Sequence, residues 1–327
     1  MVSRNVRFAS IGALILAVLP AAKASAVTLK VAYLRDINFI AVIQAEQAGY
    51  FKKFGIEIEK RPLNDGAAVA SAVVSGAADI GYAASAIPIS ARDAGQPLRI
   101  FISNGYEEYP YSPNMTFLIA SKRSGVKTLA DLKGKTAVVN AVSGGCTLSL
   151  RDQLRHAGVA ISSVKTLVVP FPQTSAVLRL GEAQAACIIE PFYTAIRLDP
   201  NIKPVVLAQG MLAGRKKGDR VAINGYFASV DWLHKNKKIA GEFLAAVRRA
   251  SYDLSKNPTL FHQDLVKYFG MKPKFANAVP MTITPSDMIA KPAQYEPLLS
   301  AMAKSGMLKS PLTGTDIVET ITPPNGG

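Results

Sequence analysis

The sequence predicts an α/β fold of two lobes with a helical C-terminal third. Three observations carry this. Short apolar strands alternate with amphipathic helices from Val27 onward, the pattern of helices laid on both faces of a sheet. Past the first residues about 300 remain, and the chain is 49% hydrophobic, enough for more than one core. From Val230 to Tyr268 the strand pattern gives way to helical periodicity, followed by short helices and proline-rich connections up to Pro324.

The N-terminus carries Arg4 and Arg7, an apolar run from Phe8 to Leu19, and Ala24-Ser25-Ala26, which together read as a secretory signal over residues 1–26. The run is shorter than the about 20 residues that a bilayer span needs, and no Cys near the cut could take a lipid. The mature chain is expected to start at Val27, outside the cytoplasm and without direct membrane insertion. Removing Arg4, Arg7 and Lys23 takes away three cations and no acid, so the net charge falls from +15 to +12. The basic residues are scattered, with local clusters at Arg215-Lys216-Lys217 and Lys235 to Lys238. No aromatic residues interleave them, which argues against a nucleic-acid groove. They could attract anionic solutes or simply be solvated. His156, His234 and His262 do not cluster with the two cysteines, which argues against a zinc site. An oxidising compartment permits a disulfide between Cys146 and Cys187, whereas the apolar run Ala185 to Ile189 favours a buried free thiol at Cys187.

Thr28 to Leu34 reads as the first strand, followed by the polar turn Arg35-Asp36-Ile37-Asn38. Phe39 to Phe54 reads as a helix ended by Gly55, and Ile56 to Glu59 as a half-exposed strand. Asn64-Asp65-Gly66 turns into a helix over Ala67 to Val74, which Ser75-Gly76 stops. Ala78 to Tyr82 is a third strand, a helix starts near Pro88, and Leu98 to Ser103 is a fourth strand. Asn104 to Asn114, rich in tyrosine and acid, reads as an irregular loop, either a ligand-facing flap or plain surface. Further strands fall at Met115 to Ser121, Val164 to Val169, Ala185 to Ile189, Lys203 to Leu207 and Val221 to Ser229. Met115 to Ser121 and Val221 to Ser229 are expected to cross between lobes, so that few residues need move for closure. The first lobe is then 27–114 with 229–327, and the second is 115–228 with both crossing strands.

Between these crossings, Lys135 to Val139 reads as a strand, and Ser143-Gly144-Gly145 opens a helix with apolar Leu148, Leu150, Leu154 and Ala157. At a helix start the first amides lack intrahelical acceptors and the dipole is positive, which suits an anionic or polar solute. The competing reading is a self-capped turn in which Ser143 or Thr147 satisfies those amides. No Ser, His and Asp set at recognisable spacing and no phosphate loop appears.

Several fragments together resemble one family. They are Ala48 to Ile58 (AGYFKKFGIEI), Val74 to Gly81 (VSGAADIG), Leu129 to Lys135 (LADLKGK) and Glu190-Pro191. The resemblance is to the periplasmic solute-binding family that includes the sulfonate-, taurine- and nitrate-binding receptors of ABC importers, and it covers roughly residues 28–260. It implies a type II periplasmic-binding-protein fold: two α/β lobes joined by two crossing strands, the helical C-terminal region packed on the first lobe, and solute held at the strand C-termini. It further implies a periplasmic monomer that is not an enzyme and uses no cofactor. Such a protein takes a small organic anion (a sulfonate, taurine, nitrate, or an aromatic or alkyl carboxylate) to an inner-membrane ABC permease.

The family pocket is built from strand-end loops, here Arg35 to Phe39, Asn64 to Gly66, Ala83 to Ser85, Ser143 to Thr147, Phe171 to Thr174 and Glu190 to Tyr193. Ser85, Gly145, Cys146, Thr147 and Glu190 match position by position. Members carry a small hydroxyl residue where Cys146 stands, so this chain keeps the amides and lacks that hydroxyl donor. Asn38, Asn64, Ser143, Gly144 and Gln173 lie in the same loops. Glu190 would accept from an amine, or is a strand-end acid before Pro191. Arg35 would bind both oxygens of a carboxylate or sulfonate, or pair internally with Asp36 or another acid. Phe39, Phe171 and Tyr193 would stack on a ring or cover an alkyl chain, or belong to the lobe cores. Asn224 and Tyr226 reach the cleft floor if their strand's alternation points them inward. Two alternatives stand beside transport. One is pyrimidine or thiamin-precursor binding, up to a synthase-like enzyme of the same superfamily. That enzyme would require a cysteine-rich iron motif and an active-site histidine, against which stand the single cysteines and the export signal. The other is a ligand-sensing receptor for a membrane kinase.

Overall fold

The computed structural model describes residues 26–110, 115–282, 284 and 286–324. All but the last residue of the expected signal, and Tyr111 to Asn114 of the expected irregular loop, lie outside the described residues. Ten strands form two five-stranded sheets. In order they are β1 (Val27–Leu34), β2 (Ile56–Leu63), β3 (Ile80–Ala84), β4 (Leu98–Glu108), β5 (Thr116–Ser121), β6 (Thr136–Val139), β7 (Lys165–Val168), β8 (Ala185–Ile189), β9 (Pro204–Gln209) and β10 (Arg220–Ser229). The helices around the first sheet are α1 (Ile40–Gln47), α2 (Gly66–Val74) and α3 (Ala86–Asp93), and those of the second are α4 (Gly145–His156), α5 (Phe171–Leu180) and α6 (Phe192–Arg197). The C-terminal region adds α7 (Val230–Lys235), α8 (Lys237–Lys256), α9 (Pro258–Phe269), α10 (Pro273–Ala276), α11 (Glu296–Lys304) and α12 (Gly314–Ile317).

The first sheet runs β2-β1-β3-β10-β4 and the second β7-β6-β8-β5-β9. β1 is parallel to β2 and β3, whereas β10 lies antiparallel between β3 and β4. The second sheet repeats this plan: β6 is parallel to β7 and β8, and β5 lies antiparallel between β8 and β9. Central strands covered by helices on both faces read as unbroken apolar runs, as in Ala185 to Ile188, all buried. The edge strand β2 instead alternates, with Ile56 buried and Glu57 and Glu59 exposed. Each sheet carries its own core, the first around Val31, Ile80, Phe101 and Phe227, the second around Leu118, Val138, Leu154 and Ile188.

The C-terminal helices pack on the first sheet, as expected. α8 buries Ala240, Phe243, Leu244, Val247, Ala250 and Leu254, spaced three and four apart on one face. Phe243 lies 5.3 Å from Phe51 and 5.4 Å from Tyr226, ring centre to ring centre. Val318 bridges Ile100 at the far side of the sheet.

Four expectations are corrected. The first helix is α1 only, flanked by 3-10 turns at Ile37–Phe39 and Lys52–Phe54, because left-handed Gly49 breaks it before Phe54. β4 continues through Glu108, so residues 104–108 are sheet and not flap: Arg220 pairs with Glu108, and Tyr106 and Glu107 are buried. β10 belongs to the first sheet, not to the second lobe, because the chain has already returned when it begins. The chain therefore passes between the sheets after β4 ends at Glu108 and again over residues 210–219. Cys146 and Cys187 form a disulfide across a Cα separation of 5.4 Å, since α4 starts directly over β8, so the expected free thiol is absent.

Candidate functional site

A cavity of about 50 Å³ lies between the two sheets. The first sheet lines it with Leu34 and Asp36 beyond β1, Ala84 at the end of β3, and Asn224 on β10. The second sheet contributes Thr116 on β5, Gly145 and Cys146 opening α4, Phe171 opening α5, and Ile189 ending β8. The lining is largely apolar and includes no Lys or Arg.

The start of α4 is left open at this wall. Its N-cap is Gly144, in extended geometry, with no side-chain capping bond. Thr147 donates its hydroxyl to the Ala141 carbonyl, and Ser143 lines an outer groove with Ala67 and Val74, so neither performs the self-capping considered above. Neighbouring helix starts are different. Asp65 accepts the Ala68 N–H at 2.8 Å and caps α2, while Glu190 accepts the Thr194 N–H at 3.1 Å and its hydroxyl at 3.0 Å and caps α6. Two helices thus carry their own carboxylate and α4 presents free amides to the cavity. Gly145 allows the approach: a Cβ there would meet Met211 Cε at 2.8 Å. The disulfide ties Cys146 to β8 and fixes where the helix begins.

Two polar side chains from the first sheet line the same cavity as this helix start. Asp36 is 4% exposed, and its Oδ1 accepts the Tyr82 hydroxyl at 2.7 Å and the Asn38 N–H at 2.8 Å. Burial pushes its carboxyl up to about 6 despite these bonds. Asn224 is 4% exposed, and its Oδ1 has no hydrogen-bond partner among the described residues.

Of the predicted site residues, the fold brings Gly144, Gly145, Cys146 and Phe171 to the cavity. Glu190 is buried capping α6, and burial raises its carboxyl to about 7. Phe39 is fully buried with its ring stacked 3.7 Å from Tyr33, and Tyr193 stacks 3.7 Å from Phe117, so both are packing residues. Asn38 accepts the Thr282 hydroxyl, and its carbonyl accepts the Asn104 amide. Ser85 is buried without lining the cavity, whereas Asn64 and Gln173 are exposed. Arg35 is exposed and faces a different pocket. Strand alternation explains this last result: Leu34 and Asp36 turn inward, so Tyr33 and Arg35 turn outward. Tyr226 lies beneath the floor, 4.9 Å from Tyr82. Asp36 and Thr116 were not predicted. Alternation puts Asp36 on the same face as Leu34 without saying which face meets the cleft, and nothing local marks Thr116.

A cavity at the ends of parallel strands, closed between two sheets that two short segments connect, defines a two-lobed binding protein. The chain belongs to the family described as NMT1/THI5 like, which it matches over residues 36–260. Over 128 residues, 39% of this chain, it is 29% identical to the putative aliphatic sulfonates-binding protein of Escherichia coli (strain K12), and the match spans 38% of that protein. Among solved structures, the alkanesulfonate-binding protein SsuA from Xanthomonas axonopodis pv. citri bound to MOPS superposes with a TM-score of 0.73 at 19% identity, covering 91% of this chain and 99% of that one. The periplasmic nitrate-binding protein NrtA from Synechocystis PCC 6803 superposes with a TM-score of 0.71 at 16% identity, covering 87% and 83%. All three are described as binding proteins and none as an enzyme. Among the described residues no helix is long and apolar enough to cross a membrane.

Proposed function

We propose that the chain is a periplasmic receptor that closes on a small organic anion and delivers it to an ABC importer. The observation that carries this is the uncapped start of α4 at the wall of an apolar cavity. An anionic head group would take the amides of Gly145, Cys146 and Thr147, and an alkyl or aryl body would lie against Leu34, Phe171 and Ile189. Beyond the helix start the lining is apolar and offers nitrate little to bind, so an organic sulfonate or carboxylate fits better. The basic net charge favours capture of anions, and the leader expected from the sequence supports a site of action outside the cytoplasm.

A second reading, a solute carrying an amino group such as an aminopyrimidine, is favoured by the buried Asp36 and the unpartnered Asn224 Oδ1. One screen separates the two. Mature protein from Val27 is melted with alkanesulfonates, carboxylates, nitrate and aminopyrimidines. A ligand at a hundred times its Kd adds about 2.7 kcal/mol. The organic-anion reading fails if no sulfonate or carboxylate raises the melting temperature. Stabilisation by aminopyrimidines alone would establish the second reading.

A further inference from the structure

A second cavity, of about 370 Å³, lies back to back with the cleft. Three elements form the partition, each giving one residue to the inner cavity and a near neighbour to the outer. Leu34 faces in and Arg35 out, Phe171 in and Pro172 out, Ile189 in and Pro191 out. The remaining wall comes from the C-terminal region, at the end of α9 and into α10.

The outer pocket differs chemically from the inner one. It is lined by the rings of Tyr33, Phe192, Tyr268 and Phe275, by the cations Arg35 and Lys272, and by no acid. Both cations are exposed, and neither is in an ion pair with a described residue. Burial raises the Tyr33 hydroxyl pKa and the positive charge of nearby Arg35 opposes that shift, so the guanidinium stands close to this ring. Lys267 stands 4.9 Å from the centre of the Tyr268 ring and adds positive potential.

We propose that this outer pocket is a second ligand site, for a small aromatic sulfonate or carboxylate. Its ring would lie among Tyr33, Phe192 and Phe275, and its oxygens on Arg35 and Lys272. Tyr33 and Arg35 belong to the first sheet, Phe192 to the second, and Lys272 to the C-terminal region. An occupant therefore ties all three together and favours the closed arrangement. The inner cavity holds an anion by amides and a dipole. The outer pocket does so with full charges at the surface, so its binding is the more salt-sensitive.

The test is titration of the mature chain with 1-naphthalenesulfonate, read by calorimetry and ligand fluorescence. Saturable binding is expected, weakening as NaCl rises from 50 to 500 mM. Arg35→Ala combined with Lys272→Ala should weaken it at least tenfold, while Lys274→Ala, at an exposed neighbour outside the pocket, should leave it unchanged. Gly145→Val, which fills the inner cavity, should also leave it in place. These charge removals are at exposed side chains, so folding is not at stake. No saturable binding, equal affinity in the double variant, or loss in Gly145→Val alone would each overturn the assignment, the last by placing the probe in the inner cleft.

Discussion

Gly145 is the residue at which the cleft is most easily blocked. Its hypothetical Cβ already crowds the flexible end of Met211, and the two Cγ methyls of valine would occupy the space before the α4 amides. Gly145→Val is expected to abolish ligand-induced stabilisation in the thermal screen, while the unliganded melting temperature moves by only a few degrees. Arg35→Ala, by contrast, should leave the affinity for an aliphatic sulfonate within about twofold by calorimetry, because Arg35 faces away from this cavity. The two residues also show what the sequence could reveal. Glycines between a strand and a helix mark a site of close backbone approach wherever they fold. Whether Arg35 or Asp36 turns inward depends on strand register against β2 and β3, which no local pattern states. Glu190 makes a prediction in pH. Its folded carboxyl titrates near 7 and the unfolded one near 4.5, so the folded chain binds the proton more tightly. The resulting stability is fully present below the unfolded value and is lost as pH rises through 7, on the order of 3 kcal/mol. Urea unfolding at pH 5 and pH 7.5 should show a flatter pH response in Glu190→Gln than in the parent; identical slopes would exclude this role.

At the scale of elements, α4 and the crossings position the site. The disulfide closes a loop with a sequence separation of 41, for which chain entropy gives about 4 kcal/mol. Replacing both Cys146 and Cys187 by Ser should therefore lower unfolding free energy by about 2–4 kcal/mol. Ligand affinity should stay within a few-fold, because the bound groups are amides and not sulfur. A loss of affinity as complete as in Gly145→Val would show that the bond itself shapes the cradle. The pairing was not legible beforehand, since an apolar run describes the burial of Cys187 and says nothing of what lies above it. The end of β4 was also misread, for a related reason. Tyr106 and Glu107 look like loop residues in isolation, yet Glu107 accepts the N–H groups of both Thr116 and Met211. One buried carboxylate thus secures the two segments at which the chain passes between sheets, and burial raises its pKa. Long-range partners of this kind turn a polar stretch into sheet, and they are invisible to local periodicity.

The whole molecule is two cores meeting at α4. Leu148 packs in the first cluster while Leu150 and Leu154 pack in the second, so this helix is shared between the halves that, on the proposed function, part to admit a solute. The two-lobed plan itself was legible because alternating strands and helices and the family fragments depend on local packing. The way the halves hold each other was not. Arg151 supplies one such link, its Nη1 donating to the Ser305 carbonyl at 3.2 Å and joining α4 to the C-terminal region. This bond exists only when the halves are together and touches nothing that a ligand would touch. Arg151→Ala should therefore act on the equilibrium between open and closed forms, by about 1 kcal/mol for one part-buried, solvent-weakened hydrogen bond. A ligand that binds the closed form then loses affinity by the fraction of closed protein removed, about three- to tenfold. Stopped-flow kinetics should place most of that loss in faster dissociation, with the unliganded melting temperature nearly unchanged. An unaltered dissociation rate would mean that closure is secured elsewhere, and that the contact between α4 and Ser305 follows closure without contributing to it.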